Sequence, residues 1–180
     1  MKMVLDAGVI YPTVMREMLL GVARTGAYTP LWSARILEEW ALAARKLGPE
    51  GEIQARGEIA MAQTAFPRAS IAPHVGLEAR LWLPDANDIH VLATAVHGNG
   101  DGIITMNAKD FPRGLLAEEG LTRNDPDAFL LGHLHAEPEA IEAIANAVLG
   151  QARNISGQDW TLRALLKKAR LPRLGKALTT

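Results

Sequence analysis

Met3-Val4-Leu5-Asp6 decides how the chain is read. Three apolar residues followed by a carboxylate predict a short buried strand with an acid at its C-terminal end. Two further runs share the character of the first. Tyr28 to Trp32 is a second candidate strand, and Gly102-Ile103-Ile104-Thr105 a third, followed by a loop from Asn107 to Pro112. Ala69 to Ala72 is a fourth, shorter candidate.

Helical spacing fills the intervals. Val14, Met18, Leu19 and Val22 recur at helical intervals between Thr13 and Thr25, and Gly26 ends the run. Ser33 stands where an N-cap belongs, ahead of a helix to about Leu47. Pro49 to about Thr64 is another helix. Leu83-Pro84-Asp85-Ala86-Asn87 is loop chemistry. Asn87 or Asp88 opens a helix carrying Ile89, Leu92, Ala93 and Val96, closed by His97-Gly98-Asn99-Gly100. Short apolar strands alternating with helices predict an α/β fold with a parallel sheet covered on both faces. From Asp125 onward the pattern is helical, in three segments broken near Pro138 and Ser156-Gly157. The organisation expected is a domain over 1–124 and a helical extension over 125–180.

Composition narrows the chemistry. Nearly half of the 180 residues are apolar and under a quarter are charged, so the chain is globular rather than disordered. There is no cysteine, so any metal must be held by oxygen or histidine. No apolar stretch is long enough for a signal peptide or a membrane span, which predicts a soluble cytoplasmic protein without a membrane partner. The net charge of −1 hides an asymmetry. Residues 1–159 hold 13 Lys and Arg against 20 Asp and Glu, a net of −7, whereas residues 160–180 carry six bases and no acid. The bases are Arg163, Lys167, Lys168, Arg170, Arg173 and Lys176. A basic tail suits an anionic partner, and equally a solvated helix face.

Open parallel sheets bind ligands outside the carboxyl ends of their strands. Asp6 follows the first strand there, and Asp110 lies in the loop after the strand 102–105. Asp88 lies in the first turn of the helix leading into that strand, and Glu39 two turns into the helix after the second strand. Acids converging on one rim repel each other unless a cation is present, and hard oxygen ligands suit Mg²⁺ or Mn²⁺. Taken singly, each acid also has a plainer reading as a cap, a turn residue or a solvated charge. The five histidines show no metal-ligand spacing and read as packing or surface residues. No Walker A segment, nucleophile elbow or GxGxxG after a strand is present.

These residues resemble a known family. Val4-Leu5-Asp6-Ala7 followed by Val9-Ile10 is similar to the start of PIN domains, the fold of VapC-type toxin ribonucleases. Trp32-Ser33 followed by Ile36-Leu37-Glu38-Glu39 resembles their second motif, which picks Glu39 over Glu38. Leu83-Pro84-Asp85 with Asn87-Asp88-Ile89-His90-Val91-Leu92-Ala93-Thr94-Ala95 resembles the third, with Asp88 its acid. Ile103-Ile104-Thr105-Met106-Asn107 with Asp110-Phe111-Pro112 resembles the fourth, with Asp110 its acid and Thr105 and Asn107 its supporting polar positions. The motifs occur in order over residues 3–112. One departure is Gly8, where the family usually has Asn.

The resemblance implies a three-layer α/β/α sandwich around a parallel sheet of about five strands, followed here by C-terminal helices. It also implies an Mg²⁺- or Mn²⁺-dependent endoribonuclease with Asp6, Glu39, Asp88 and Asp110 as catalytic acids, Asp6 and Asp88 being the metal ligands. Thr105 and Asn107 would position the substrate. Members are often dimers and often silenced by a protein antitoxin, so RNA, an antitoxin and a second copy are the implied partners. Two rival classes remain to be weighed. A haloacid-dehalogenase-type hydrolase needs a second Asp two residues after the first, and Gly8 excludes it. A PIN scaffold that binds RNA or a partner without cutting has no need of four like charges at one rim.

Overall fold

Lys2–Leu5 forms β1 in the computed structural model, which describes all 180 residues. A single turn, α1 (Ala7–Ile10), follows it, and then α2 (Thr13–Arg24). Gly26, at φ +86°, reverses the chain where a side chain would be strained. β2 (Thr29–Leu31) leads to α3 (Ala34–Ala43), whose Ser33 cap accepts the Ile36 N–H at 3.2 Å. α3 tightens into a 3₁₀ turn at Ala44–Leu47 before α4 (Pro49–Ala65), which has proline in its first turn. α5 (Val75–Arg80) is followed by a 3₁₀ turn at Ala86–Asp88 that runs into α6 (Ile89–His97). β3 (Gly102–Ile104), α7 (Arg113–Glu118) and β4 (Thr122–Asn124) come next. The chain ends in α8 (Pro126–Ala136), α9 (Pro138–Ser156), α10 (Leu162–Lys168) and α11 (Pro172–Leu178).

These elements form two compact units that are not contiguous in sequence. Residues 1–11 and 28–124 make the first, and residues 12–27 and 125–180 the second. The first unit is mixed α/β. Its four strands are all parallel, in the order β2-β1-β3-β4, and helices flank them. Val4 sits opposite both Leu31 and Ile103. Met3, Val4 and Leu5 are all buried, as are Gly102, Ile103 and Ile104. Successive strand residues point to opposite faces, so both faces of the sheet are covered.

The sheet has four strands, against an expectation of about five. Ala69 to Ala72 contributes one parallel bridge, Trp32 to Ser70, held by the bonds Trp32 N–H to Ala69 O and Ile71 N–H to Trp32 O. Pro67 and Pro73 bound this segment and lack the N–H groups that would extend the ladder. β4, the polar Thr-Arg-Asn, carries no apolar pattern to announce it. Its place beside β3 depends on Gly102, where a Cβ would lie 2.7 Å from Thr122 O and 2.8 Å from Asn124 Nδ2.

The second unit is helical. α2 and α9 approach so closely that a Cβ on Gly21 would meet Ile144 Cγ2 at 2.7 Å. The buried Asp127 accepts the Arg173 and Leu174 N–H groups, each at 2.9 Å, and so satisfies free donors in the first turn of α11. The third helical segment expected from the sequence divides in two. Arg170 adopts φ +64°, and Leu171 precedes a proline, which holds it out of the helical region. No helix is long and apolar enough to cross a membrane.

Candidate active site

The parallel register fixes the first contact. Leu5 pairs with Ile104, so the next residue on each strand, Asp6 and Thr105, emerge side by side at the C-terminal edge. Thr105 Oγ1 donates to Asp6 Oδ2 at 2.8 Å, and the Asn107 N–H donates to Thr105 Oγ1 at 3.0 Å. The Asn107 side-chain amide donates to Asp110 Oδ2 at 2.7 Å. One loop thus orients two acids, Asp6 through Thr105 and Asp110 directly.

Asp6 occupies the N-cap position of α1 and Asp88 that of α6, yet neither side chain makes a cap hydrogen bond. Glu38 is taken by Arg56 in a two-pronged pair at 2.8 and 2.9 Å on the exposed face. Glu39 instead has its Oε1 3.0 Å from Nε2 of the buried His90.

Electrostatics show that the acids share one field. Burial raises the Asp6 carboxyl above its ordinary range, and Glu39 adds to this, while the Thr105 hydroxyl, the Ala7 N–H and His90 oppose it. Asp88 is pushed up to about 6, first by burial and then by the negative charges of Asp6, Asp85, Asp110 and Glu39. The structure therefore brings together all four acids singled out in the sequence, with Thr105 and Asn107 as hydrogen-bonding supports.

It also adds a fifth. Carboxylate oxygens of Asp85, Asp88 and Asp110 all lie within 4.8 Å of one another, and all three residues are half-buried. Asp6 is not in this trio, although its charge reaches Asp88. The signal for Asp85 was its spacing from Asp88. In a 3₁₀ turn, residues three apart eclipse each other, and Ala86–Asp88 is such a turn. One Asp85 oxygen accepts the Asn87 N–H at 2.9 Å, which holds the side chain in place.

Three half-buried carboxylates this close, with two more acids nearby, are a hard-oxygen donor set with excess negative charge. The residues fit a divalent cation of the Mg²⁺ or Mn²⁺ kind. An α/β fold whose parallel strands end in such a cluster defines a class, proteins with a carboxylate site for a divalent metal at the sheet's C-terminal edge. The PIN domain family matches residues 2–109, and the chain belongs to it. PIN domains are typically metal-dependent nucleases, so a nuclease-type function and divalent-metal binding go with that membership. Comparison with curated proteins and with solved structures gave no match.

Proposed function

We propose that the protein is an endoribonuclease that requires Mg²⁺ or Mn²⁺, and that it serves as the toxin of a type II toxin–antitoxin pair. The observation that carries the nuclease reading is the gathering of the Asp85, Asp88 and Asp110 carboxylates within 4.8 Å of one another, where Asp88 is pushed up first by burial and then by its negative neighbours. Such mutual repulsion is relieved by a bound cation. Asp6 and Asp88 would be principal ligands, with Asp85 and Asp110 beside Asp88 and Glu39 direct or through water. A divalent ion held there would supply an activated water and neutralise charge on the phosphodiester. Thr105 keeps Asp6 oriented, and Asn107 does the same for Asp110.

The toxin reading is supported by the VapC-like order of motifs over residues 3–112. It brings RNA as substrate, a protein antitoxin and a second copy of the chain as partners, and a cytoplasmic location. In this reading residues 1–124 carry the nuclease and 125–180 are the extension. The alternative, a PIN scaffold that binds without cutting, is favoured by Gly8, which offers no side chain where the family usually has Asn. The deciding experiment is cleavage of purified RNA with and without Mg²⁺ or Mn²⁺, for the wild type and Asp88→Asn. Metal-dependent cleavage lost in the variant is the expected result. Binding without cleavage under every metal would establish the scaffold instead.

A further inference from the structure

His90 is the residue beside the acids that the cluster itself does not explain. Its side chain is only 5 % exposed. Its Nε2 lies 3.0 Å from Glu39 Oε1, which ties the ring to the acids.

The imidazole lines a cavity of about 270 Å³. Ala34, Ala72, Pro73 and Ala93 give it largely apolar walls. Ser33, Arg35, His74, Glu78 and Thr94 bring its other polar groups. Ser33 Oγ accepts the Ile36 N–H and keeps its own proton to donate. Arg35 Nη1 and Glu78 Oε1 face each other at 3.8 Å.

We propose that this cavity takes one base of the RNA strand, next to the bond that is cut, and so sets the base preference of cleavage. The proposal rests on the ribonuclease reading above. A base fits the chemistry. Its flat faces are apolar enough for the alanine and proline walls, and its edge carries acceptors for the Ser33 hydroxyl. A free phosphate fits poorly, because Glu78 lines the same space and already faces Arg35. Position fits as well. His90 lines the cavity and also lies 3.0 Å from Glu39 Oε1, so the imidazole is the wall shared by the cavity and the acids.

The test fills the cavity from its rim without touching the acids. Ala72 and Ala34 are both exposed, so Ala72→Trp and Ala34→Leu leave the core intact. Wild type and variants are given a random-sequence RNA pool with Mn²⁺, and the new ends are sequenced. The wild type is expected to favour one base beside the cut by about tenfold, the worth of one good polar contact, and both variants to flatten this to about twofold. Total cleavage of the pool should fall by no more than about threefold, since the acids are untouched. A second arm follows the NMR signals of His90 in EDTA as each 5′-mononucleotide or inorganic phosphate is added. One mononucleotide should shift them, in the wild type and not in Ala72→Trp, and phosphate should not. A base preference that survives both variants, or signals that move equally with phosphate, overturns the proposal. If the wild type cuts no RNA, the nuclease reading falls, and the EDTA arm still decides the cavity.

Discussion

Asp88→Asn should make the metal-free protein more stable while abolishing cleavage. The ordinary Asp value of 3.8 is pushed to about 6 in the fold by burial and by Asp6, Asp85, Asp110 and Glu39. The unfolded chain loses this proton near pH 4, and the folded chain keeps it to about pH 6. Between those values the folded state binds the extra proton, so stability falls as pH rises through this window and levels off above it. A difference of that size corresponds to about 3 kcal/mol at full strength. Asp88 is partly open to solvent, so screening reduces this to about 1 kcal/mol. Asparagine keeps the shape and removes the charge. In EDTA at pH 7.5 the variant should therefore melt roughly 2–4 °C above wild type, and the two should converge near pH 4. Millimolar Mn²⁺ should reverse the order, stabilising the wild type by mass action and the variant much less. Thermal melts from pH 4 to pH 8, with EDTA and with Mn²⁺, measure all of this. Equal melting temperatures at pH 7.5 in EDTA, or a pH profile unchanged by the substitution, would refute the reasoning.

Thr105→Val removes the 2.8 Å bond to Asp6 at nearly constant shape, and cleavage should drop by about 10- to 100-fold, measured as kcat at saturating Mn²⁺. Gly8→Asn should raise cleavage without loss of stability, because Gly8 is exposed and a Cβ there meets nothing within 4 Å; an unchanged rate would separate this chain from the family pattern. Asp6→Asn should stabilise the metal-free protein in the same sense as Asp88→Asn, since burial and Glu39 raise the Asp6 carboxyl, and thermal melts in EDTA check it. Neutralising Arg163, Lys167, Arg170 and Lys176, all exposed, should weaken RNA binding and make its salt dependence shallower while cleavage at saturating RNA persists; Arg173 is left out because it faces Asp125 and Asp127 at 3.5 and 3.6 Å.

What could be read in advance followed from periodicity, and what could not followed from pairing in space. β1 and β3 were legible because a strand covered on both faces must be apolar at every position, as Met3-Val4-Leu5 and Ile103-Ile104 are. β4 was not, because Thr122-Arg123-Asn124 at the sheet edge carries no such run, and neither did the short helices α5 and α7. Periodicity marks the basic tail as helical. Its apolar side is indeed inside, with Leu165, Leu166, Leu171 and Leu174 buried, but a left-handed Arg170 splits it. A single residue at positive φ leaves no trace in a hydrophobic pattern.

The acids show the same division at the level of chemistry. Asp6 and Asp110 could be placed because each follows a strand, and a parallel sheet gathers its strand ends on one edge. Choosing Glu39 over Glu38 took the family motif, and the physical reason is visible only in the fold. Arg56, eighteen residues further on, occupies Glu38, while His90 faces Glu39. Asp85 needed the tightness of one turn. With 3.6 residues per turn, residues three apart are offset around the axis; with 3.0 they stack. That local choice of a 3₁₀ over an α turn sets a second carboxylate beside Asp88, and with Asp110 it makes three oxygens close enough to share one cation. The sequence carried the charges, and the backbone geometry between Asp85 and Asp88 decided that they act together.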